Sequence, residues 1–305
     1  MADSHNENTV EVVDLDEAQA RARVRARLFG EPLEPVRIGR FVVVDRIGSG
    51  AMGVVYSAYD SRLDRKVALK FMRRELMAER GQHRLLREAR AMAQLSHANV
   101  VTVHEAGTID GSVFIAMEHV DGVTLREWCE QERSLDETLA VLIDAGRGLA
   151  AAHAAGVTHG DFKPDNVLID DSGRVRVVDF GLASGFDALP GTEVAGTPSY
   201  MAPEQFNGAT GVHSDQFAFA VTAYECLFGV RPFDGVTLES LKNSVHNDAP
   251  RAPERRRNLG RGVRGALIRA LSAKVEARFD SMDFLLAVLV RARALPKRRR
   301  IDGTA

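Results

Sequence analysis

The sequence predicts an α+β chain of two lobes: a five-stranded antiparallel sheet with one helix, then a mainly helical part. Three observations carry this. Runs rich in Val and Phe recur between Ile38 and Met117, and a single helical period, Glu79 to Leu95, interrupts them. Helical periods take over after Ser134. With 305 residues and 45% hydrophobic content, the chain can fill one large core or two smaller ones.

Charge and cysteine content narrow the function classes. A formal net charge of -2 provides no overall basic field for nucleic acid. The two cysteines, Cys129 and Cys226, sit in apolar helical patterns, so neither a disulfide framework nor a zinc site is encoded. A reducing, cytoplasmic compartment is the expectation. The polar start, Met-Ala-Asp-Ser-His-Asn-Glu-Asn, lacks the apolar stretch of a signal peptide. The longest apolar run, Phe217 to Val230, is broken by Glu225 and too short for a bilayer, so no transmembrane segment is expected.

Residues 1–37 read as an extension, solvated apart from one Arg-rich, helix-compatible stretch, Asp16 to Phe29, ended by Gly30 and Pro32. From Ile38 the pattern turns strand-like. Phe41 to Ile47 leads into Gly48-Ser49-Gly50-Ala51-Met52-Gly53, and Val54-Val55-Tyr56 follows at once. In a dinucleotide-binding unit such glycines open a helix, whereas here they join two strands. That context suits a loop whose backbone N–H groups approach phosphate oxygens without an intervening Cβ.

Val67-Ala68-Leu69-Lys70 reads as the next strand, with Ala68 and Lys70 on one face. A small side chain can lie there against a base while an ammonium reaches phosphate. In the helix that follows, Leu85, Ala89, Met92 and Leu95 form the buried stripe, and Glu88 lies at its edge. A carboxylate near the core side calls for a cation, and Arg84 and Lys70 are the candidates. Val100 to Val103 and Val113 to Met117 complete the five strands, and the chain then leaves the sheet at Glu118 to Gly122. Ser134-x-x-Glu137 is a capping box for the helix Thr138 to Ala155, which stops at Gly156.

The stretch His159 to Gly181 is where chemistry concentrates. Val167 to Ile169 and Arg174 to Val178 flank the turn Asp170-Asp171-Ser172-Gly173 and read as a hairpin. Antiparallel pairing then sets Asn166 beside Asp179, two oxygen ligands fit for a hard cation such as Mg²⁺. Asp161 and Lys163 lie just upstream. A carboxylate, a cation and a metal pair together are equipment for moving a phosphoryl group.

In this order and spacing, His159-Gly160-Asp161-Phe162-Lys163-Pro164-Asp165-Asn166 and Asp179-Phe180-Gly181 resemble the catalytic loop and Asp-Phe-Gly element of protein kinases. Gly196-Thr197-Pro198, followed by Ala202-Pro203-Glu204, resembles the end of a kinase activation segment. The likeness runs from Ile38 to Ala294, in the style of the eukaryotic-like serine/threonine kinases of bacteria, myxobacterial ones in particular. It implies a two-lobed kinase fold over 38–294, with an N-lobe at 38–117, a hinge at 118–122 and a C-lobe at 123–294. Residues 295–305 are left as a basic tail.

The resemblance also implies roles. Asp161 would be the base toward a Ser or Thr hydroxyl of a protein substrate, and Lys163 would steady the γ-phosphate of ATP. Lys70 would pair with Glu88 and reach the α- and β-phosphates, and Asn166 and Asp179 would hold Mg²⁺. Ile47, Gly48, Ser49, Gly50, Ala51, Met52 and Gly53 would cover the nucleotide. Val55, Ala68 and Leu168 would enclose its adenine, with Met117 as gatekeeper and the backbone of Glu118 and Val120 bonding the base. Thr197 would bond Asp161 and Lys163, Asp215 would brace the catalytic loop, and Arg278 would pair with Glu204.

One position departs from the family pattern, Gly160, where an Arg is usual. Without that guanidinium, activity is expected to depend little on phosphorylation of the loop, for which Thr192 is the test position, and the backbone beside the base is expected to loosen. The alternative function is a nucleotide-binding pseudokinase acting as an interaction module. A small-molecule phosphotransferase of related fold is a third reading.

Overall fold

The computed structural model describes residues 15–29, 35–50, 53–73, 79–109, 111–180, 198–251 and 261–294. The first lobe is an antiparallel sheet built from β1 (Arg37–Ile38), β2 (Phe41–Gly50), β3 (Gly53–Asp60), β4 (Arg65–Met72), β5 (Val103–Ile109) and β6 (Ser112–Glu118). Its spatial order is β1-β2-β3-β4-β6-β5. Two of these strands differ from expectation. The two-residue β1 is a sixth strand, and the Val100–Val103 run only begins the fifth, which starts at Val103. Val100 instead bridges Val177, with Val101 N–H donating to the Val177 carbonyl at 3.0 Å. An apolar run carries no label for the sheet it joins, and this one ties the first lobe to the second.

Period-two alternation sorts the sheet's side chains onto two faces. Val67, Leu69 and Phe71 of β4 join Phe41, Tyr56 and Phe114 in one buried cluster. Leu15, from α1 (Leu15–Phe29), is buried in the same cluster. Leu15 thus anchors α1 on the sheet, although Glu17, Arg21, Val24, Arg25, Leu28 and Phe29 are exposed. On the other face α2 (Glu79–Ala93) lays Leu85, Ala89 and Met92 against Val113 and Ile115.

The second lobe begins with β7 (Gly122–Thr124), which pairs with the hairpin β8 (Val167–Asp170) and β9 (Val175–Val177). The hairpin was legible in the turn composition; β7 was not. Thr124 caps α3 (Leu125–Glu130) with Glu127 as reciprocal partner, and Ser134 with Glu137 does the same for α4 (Leu135–Ala154). α5 (Val212–Phe228) is buried along almost its whole length, as an apolar helix at the centre of a lobe must be. α6 (Leu238–Asn247), α7 (Arg261–Ala270) and α8 (Met282–Ala294) complete the lobe. No helix among the described residues is long and apolar enough to cross a membrane.

Candidate active site

The loop after α4 is fixed from below. Asp215, in the first turn of α5 and 1% exposed, accepts the His159 N–H at 2.7 Å and the Gly160 N–H at 2.8 Å. His153 Nε2 stands 2.8 Å from the same carboxylate. The His159 ring meets Phe162 edge-on and Phe180 at a tilt, and its Nε2 lies 2.9 Å from the Val178 carbonyl. Burial pushes the pKa of His159 down, outweighing the pull of Asp215, Asp161 and Asp179, so the ring is a neutral strut at pH 7.

Gly160 has φ +80°, left-handed backbone that a side chain would strain. Its carbonyl accepts from Gln205 Nε2 at 3.0 Å while its amide is held by Asp215. Glycine fits this geometry, and both its N–H and its carbonyl are hydrogen-bonded beside Asp161, where the sequence led to an expectation of looser backbone. Gln205 was invisible in the sequence because nothing local links it to a loop 45 positions away.

Above this floor, Lys163 Nζ donates to Asp161 Oδ2 at 2.6 Å, and Asn166 Nδ2 donates to the Asp161 carbonyl at 2.8 Å. Asp161, Lys163 and Asn166 thus form one bonded group. The hairpin register pairs Val167 with Val177, and Val178 N–H donates to the Asn166 carbonyl. Asn166 therefore faces Val178, and Asp179 comes one residue later, at φ +65°. Asp179 Oδ2 is 2.8 Å from Lys70 Nζ of β4, so the two lobes meet in an ion pair.

That pair is a correction. Lys70 was expected to bond Glu88, but Glu88 accepts from Arg84 Nε at 3.2 Å and its ion pair with Lys70 is not formed. A buried ammonium takes the carboxylate that reaches it. Lys70 is 7% exposed, and Asp179 arrives from the opposite lobe. Glu88, with Arg84 and Arg87, instead lines a cleft of about 350 Å³ against Ala155 to Thr158.

Next to the Lys70–Asp179 pair, Ala68, Val101 and Met117 form a small apolar cluster, with Val55 and Val178 packed on it. Val101 and Val178 were not singled out in the sequence, since each sits in an ordinary apolar run. Leu168 is half-buried on β8, paired with Thr124 and Arg176 and outside this cluster. The Glu118 N–H donates to Thr102 at 2.8 Å, so a purine at this edge would be left with the Glu118 carbonyl. Val120 is half-buried.

The glycines of the β2–β3 connection differ in purpose. A Cβ on Gly53 would lie 2.0 Å from the Phe71 carbonyl, so the sheet itself demands glycine there. At Gly50 nothing lies within 4 Å, and no packing explains its missing side chain. Ile47 and Ser49 are exposed and Gly48 half-exposed; Ala51 and Met52 lie outside the described residues, as do Gly181, Thr192, Gly196 and Thr197.

Two further ion-pair systems surround the loop. Arg278, 1% exposed, grips Glu204 with two bonds of 2.7 and 2.8 Å. Burial raises the Glu204 pKa, but the bonds from Arg278 outweigh it and hold the carboxyl below its ordinary range. Arg126 grips Asp165, beside the catalytic loop, at 2.8 and 2.7 Å and donates to Tyr200 at 2.8 Å. Tyr200 in turn donates to Glu225 at 2.5 Å. This second network joins α3, the catalytic loop and α5, and its sequence separations hid it.

The donors present suit Mg²⁺. The Asn166 amide nitrogen is spent on the Asp161 carbonyl, which leaves its oxygen as the ligand atom, and Asp179 supplies a carboxylate. No cluster of three or more His, Cys, Asp or Glu forms among the described residues, so an all-protein cage is not what they build.

A family model described as the protein kinase domain matches residues 41–279. The chain belongs to the protein kinase family. Its relatives are bacterial serine/threonine kinases. The chain is 36% identical over 263 residues to the probable serine/threonine-protein kinase pknA2 of Bifidobacterium longum, covering 81% of this chain and 34% of that one. It is 36% identical over 230 residues to PknA of Mycobacterium tuberculosis, covering 71% and 53%. Among solved structures, the PknI kinase domain of Mycobacterium tuberculosis superposes with a TM-score of 0.69 at 28% identity, covering 86% of this chain and 99% of that one. The chain spans about a third to about half of the length of these curated relatives.

Proposed function

We propose that the chain transfers the γ-phosphoryl group of ATP to Ser or Thr hydroxyls of protein substrates. The observation that carries this is the Lys70–Asp179 pair at 2.8 Å, which brings the ammonium of one lobe onto the Asp-Phe-Gly carboxylate of the other. Asp161, held by Lys163 and Asn166, takes the proton of the acceptor hydroxyl. Lys163 moves from Asp161 toward the incoming charge as the phosphoryl group transfers, and Lys70 neutralises the α- and β-phosphates. Asn166 and Asp179 would hold Mg²⁺, which when bound neutralises phosphate charge. Ala68, Val101 and Met117 provide the apolar wall for adenine, and the backbone at Gly50, where a Cβ would meet nothing within 4 Å, covers the phosphates together with Gly48.

The kinase unit in this reading runs from 38 to 294, because α8 packs Leu285 and Leu289 into the same core as α4 and α5. Its place is the cytoplasm, where ATP and Mg²⁺ are supplied. Glu88 paired with Arg84 favours a second reading, a nucleotide-holding module that signals by interaction. Phosphoamino-acid analysis of a generic acceptor protein after incubation with γ-labelled ATP tests the proposal. Label on Ser and Thr is expected. Label on Tyr, or none above a protein-free control, contradicts it.

A further inference from the structure

The chain's two cysteines, far apart in sequence, meet in space. Cys129 of α3 and Cys226 of α5 line the same cleft of about 730 Å³ at the surface of the second lobe. Both are half-buried, and their thiols share a hydrogen bond. One turn before Cys129 stands Arg126, which clamps Asp165 with bonds of 2.8 and 2.7 Å. Immediately before Cys226 stands Glu225, which accepts from Arg126 at 3.5 Å and from Tyr200 at 2.5 Å. The sulfur pair thus sits at the root of the network that ties α3 and α5 to the catalytic loop.

We propose that Cys129 and Cys226 are a redox modification site: a peroxide converts them to a disulfide that staples α3 to α5 and slows phosphoryl transfer. The Cys129 sulfur, as thiolate, attacks one peroxide oxygen. The O–O bond breaks, the departing hydroxide takes up a proton as water, and Cys129 is left as a sulfenic acid. The Cys226 sulfur then attacks the Cys129 sulfur, the S–O bond breaks, and a second water leaves with the Cys226 proton. The two thiols lose two electrons and the peroxide gains them. The hydrogen bond with Cys129, then burial, holds the Cys226 thiol up, which suits Cys226 to the second role.

A disulfide needs its sulfurs about 2.05 Å apart, closer than thiols in hydrogen-bond contact, so bond formation pulls the two helices together by on the order of 1–2 Å. α5 is buried along its length and cannot yield. α3 has six residues, of which only Leu125 is fully buried, and it moves. A shift of that size breaks the paired bonds from Arg126 to Asp165, four residues from Asp161 on the same loop. In a reducing interior the pair rests as a dithiol, so the device is reversible rather than structural.

The effect on rate rests on the function proposed above; the crosslink does not. The test uses the full chain, reduced or treated with a small excess of hydrogen peroxide. Intact mass should fall by about 2 units on oxidation, peptide mapping should join the two cysteine fragments, and dithiothreitol should reverse both. The initial rate of label transfer should fall about tenfold and recover on reduction. Cys129→Ser and Cys226→Ser should keep the reduced rate and ignore peroxide. Separate oxidation of the two thiols without a joined fragment overturns the proposal, as does equal loss of rate in Cys129→Ser. A joined fragment with unchanged rate overturns the regulatory half. Absence of transfer even in reduced protein defeats the proposed activity while the mapped crosslink still decides the chemistry.

Discussion

Lys70 of β4 and Asp179 at the end of the catalytic hairpin form an ion pair of 2.8 Å between the two lobes, and Glu88 is turned to Arg84 instead. The lysine and the Asp-Phe-Gly carboxylate are thus assembled, while the carboxylate of α2 is not. Removing the ammonium leaves Asp179 without its cation and the phosphates without theirs. Lys70→Met should lower kcat/KM at least about a hundredfold, about 2.7 kcal/mol of transition-state stabilisation. Steady-state kinetics of label transfer checks this; a loss under tenfold would reassign Lys70 to a structural role.

The Arg84–Glu88 bond is a surface contact, with the Arg84 side chain 52% exposed, and such i,i+4 pairs contribute about 0.5 kcal/mol at most. If turnover requires Glu88 to leave Arg84 for Lys70, Arg84→Ala should leave kcat unchanged or raise it by about twofold. Glu88→Ala should cut it at least tenfold. Equal rates in Glu88→Ala and wild type would remove Glu88 from the mechanism.

Gly160 at φ +80° predicts an asymmetric response. Gly160→Ala should destabilise the fold by about 1–2 kcal/mol in urea, because a Cβ is strained in left-handed backbone. Unchanged stability would mean the loop relaxes elsewhere. Because no Arg at 160 can grip a phosphorylated loop, Thr192→Ala should cost less than about tenfold in kcat. A larger loss would show that the loop is gripped by other cations.

Acid should act partly through Glu204. Its folded-state pKa is held below the ordinary value, so it contributes stability that is full above the unfolded pKa of about 4.3 and lost as pH falls through the lower folded value. In Glu204→Gln that part of the pH dependence vanishes. Urea unfolding at pH 6 and pH 4 should therefore show a smaller drop for the variant than for wild type; identical drops would contradict the assignment.

Legibility followed the range of each interaction. The capping box of Ser134 and Glu137, the hairpin turn at Asp170 to Gly173 and the stripe of α2 are local, and each stands where its spacing put it. Interactions that depend on the fold were ambiguous or silent. Lys70 and Arg84 were both chemically fit partners for Glu88, and only the placement of α2 decided between them. Arg126 looked like any helix-surface cation, yet it serves Asp165 and Tyr200 from other segments. The left-handed backbone at Gly160 was silent too, since φ is not written in the residue name.

The central claim is that the groups gathered around Asp161 move a phosphoryl group. Its most direct measurement is transfer of label from γ-labelled ATP to an acceptor protein by wild type and by Asp161→Asn, with folding of both checked by circular dichroism. Incorporation by wild type and a loss of at least about a hundredfold in the variant are expected. Equal incorporation by the two proteins would contradict it.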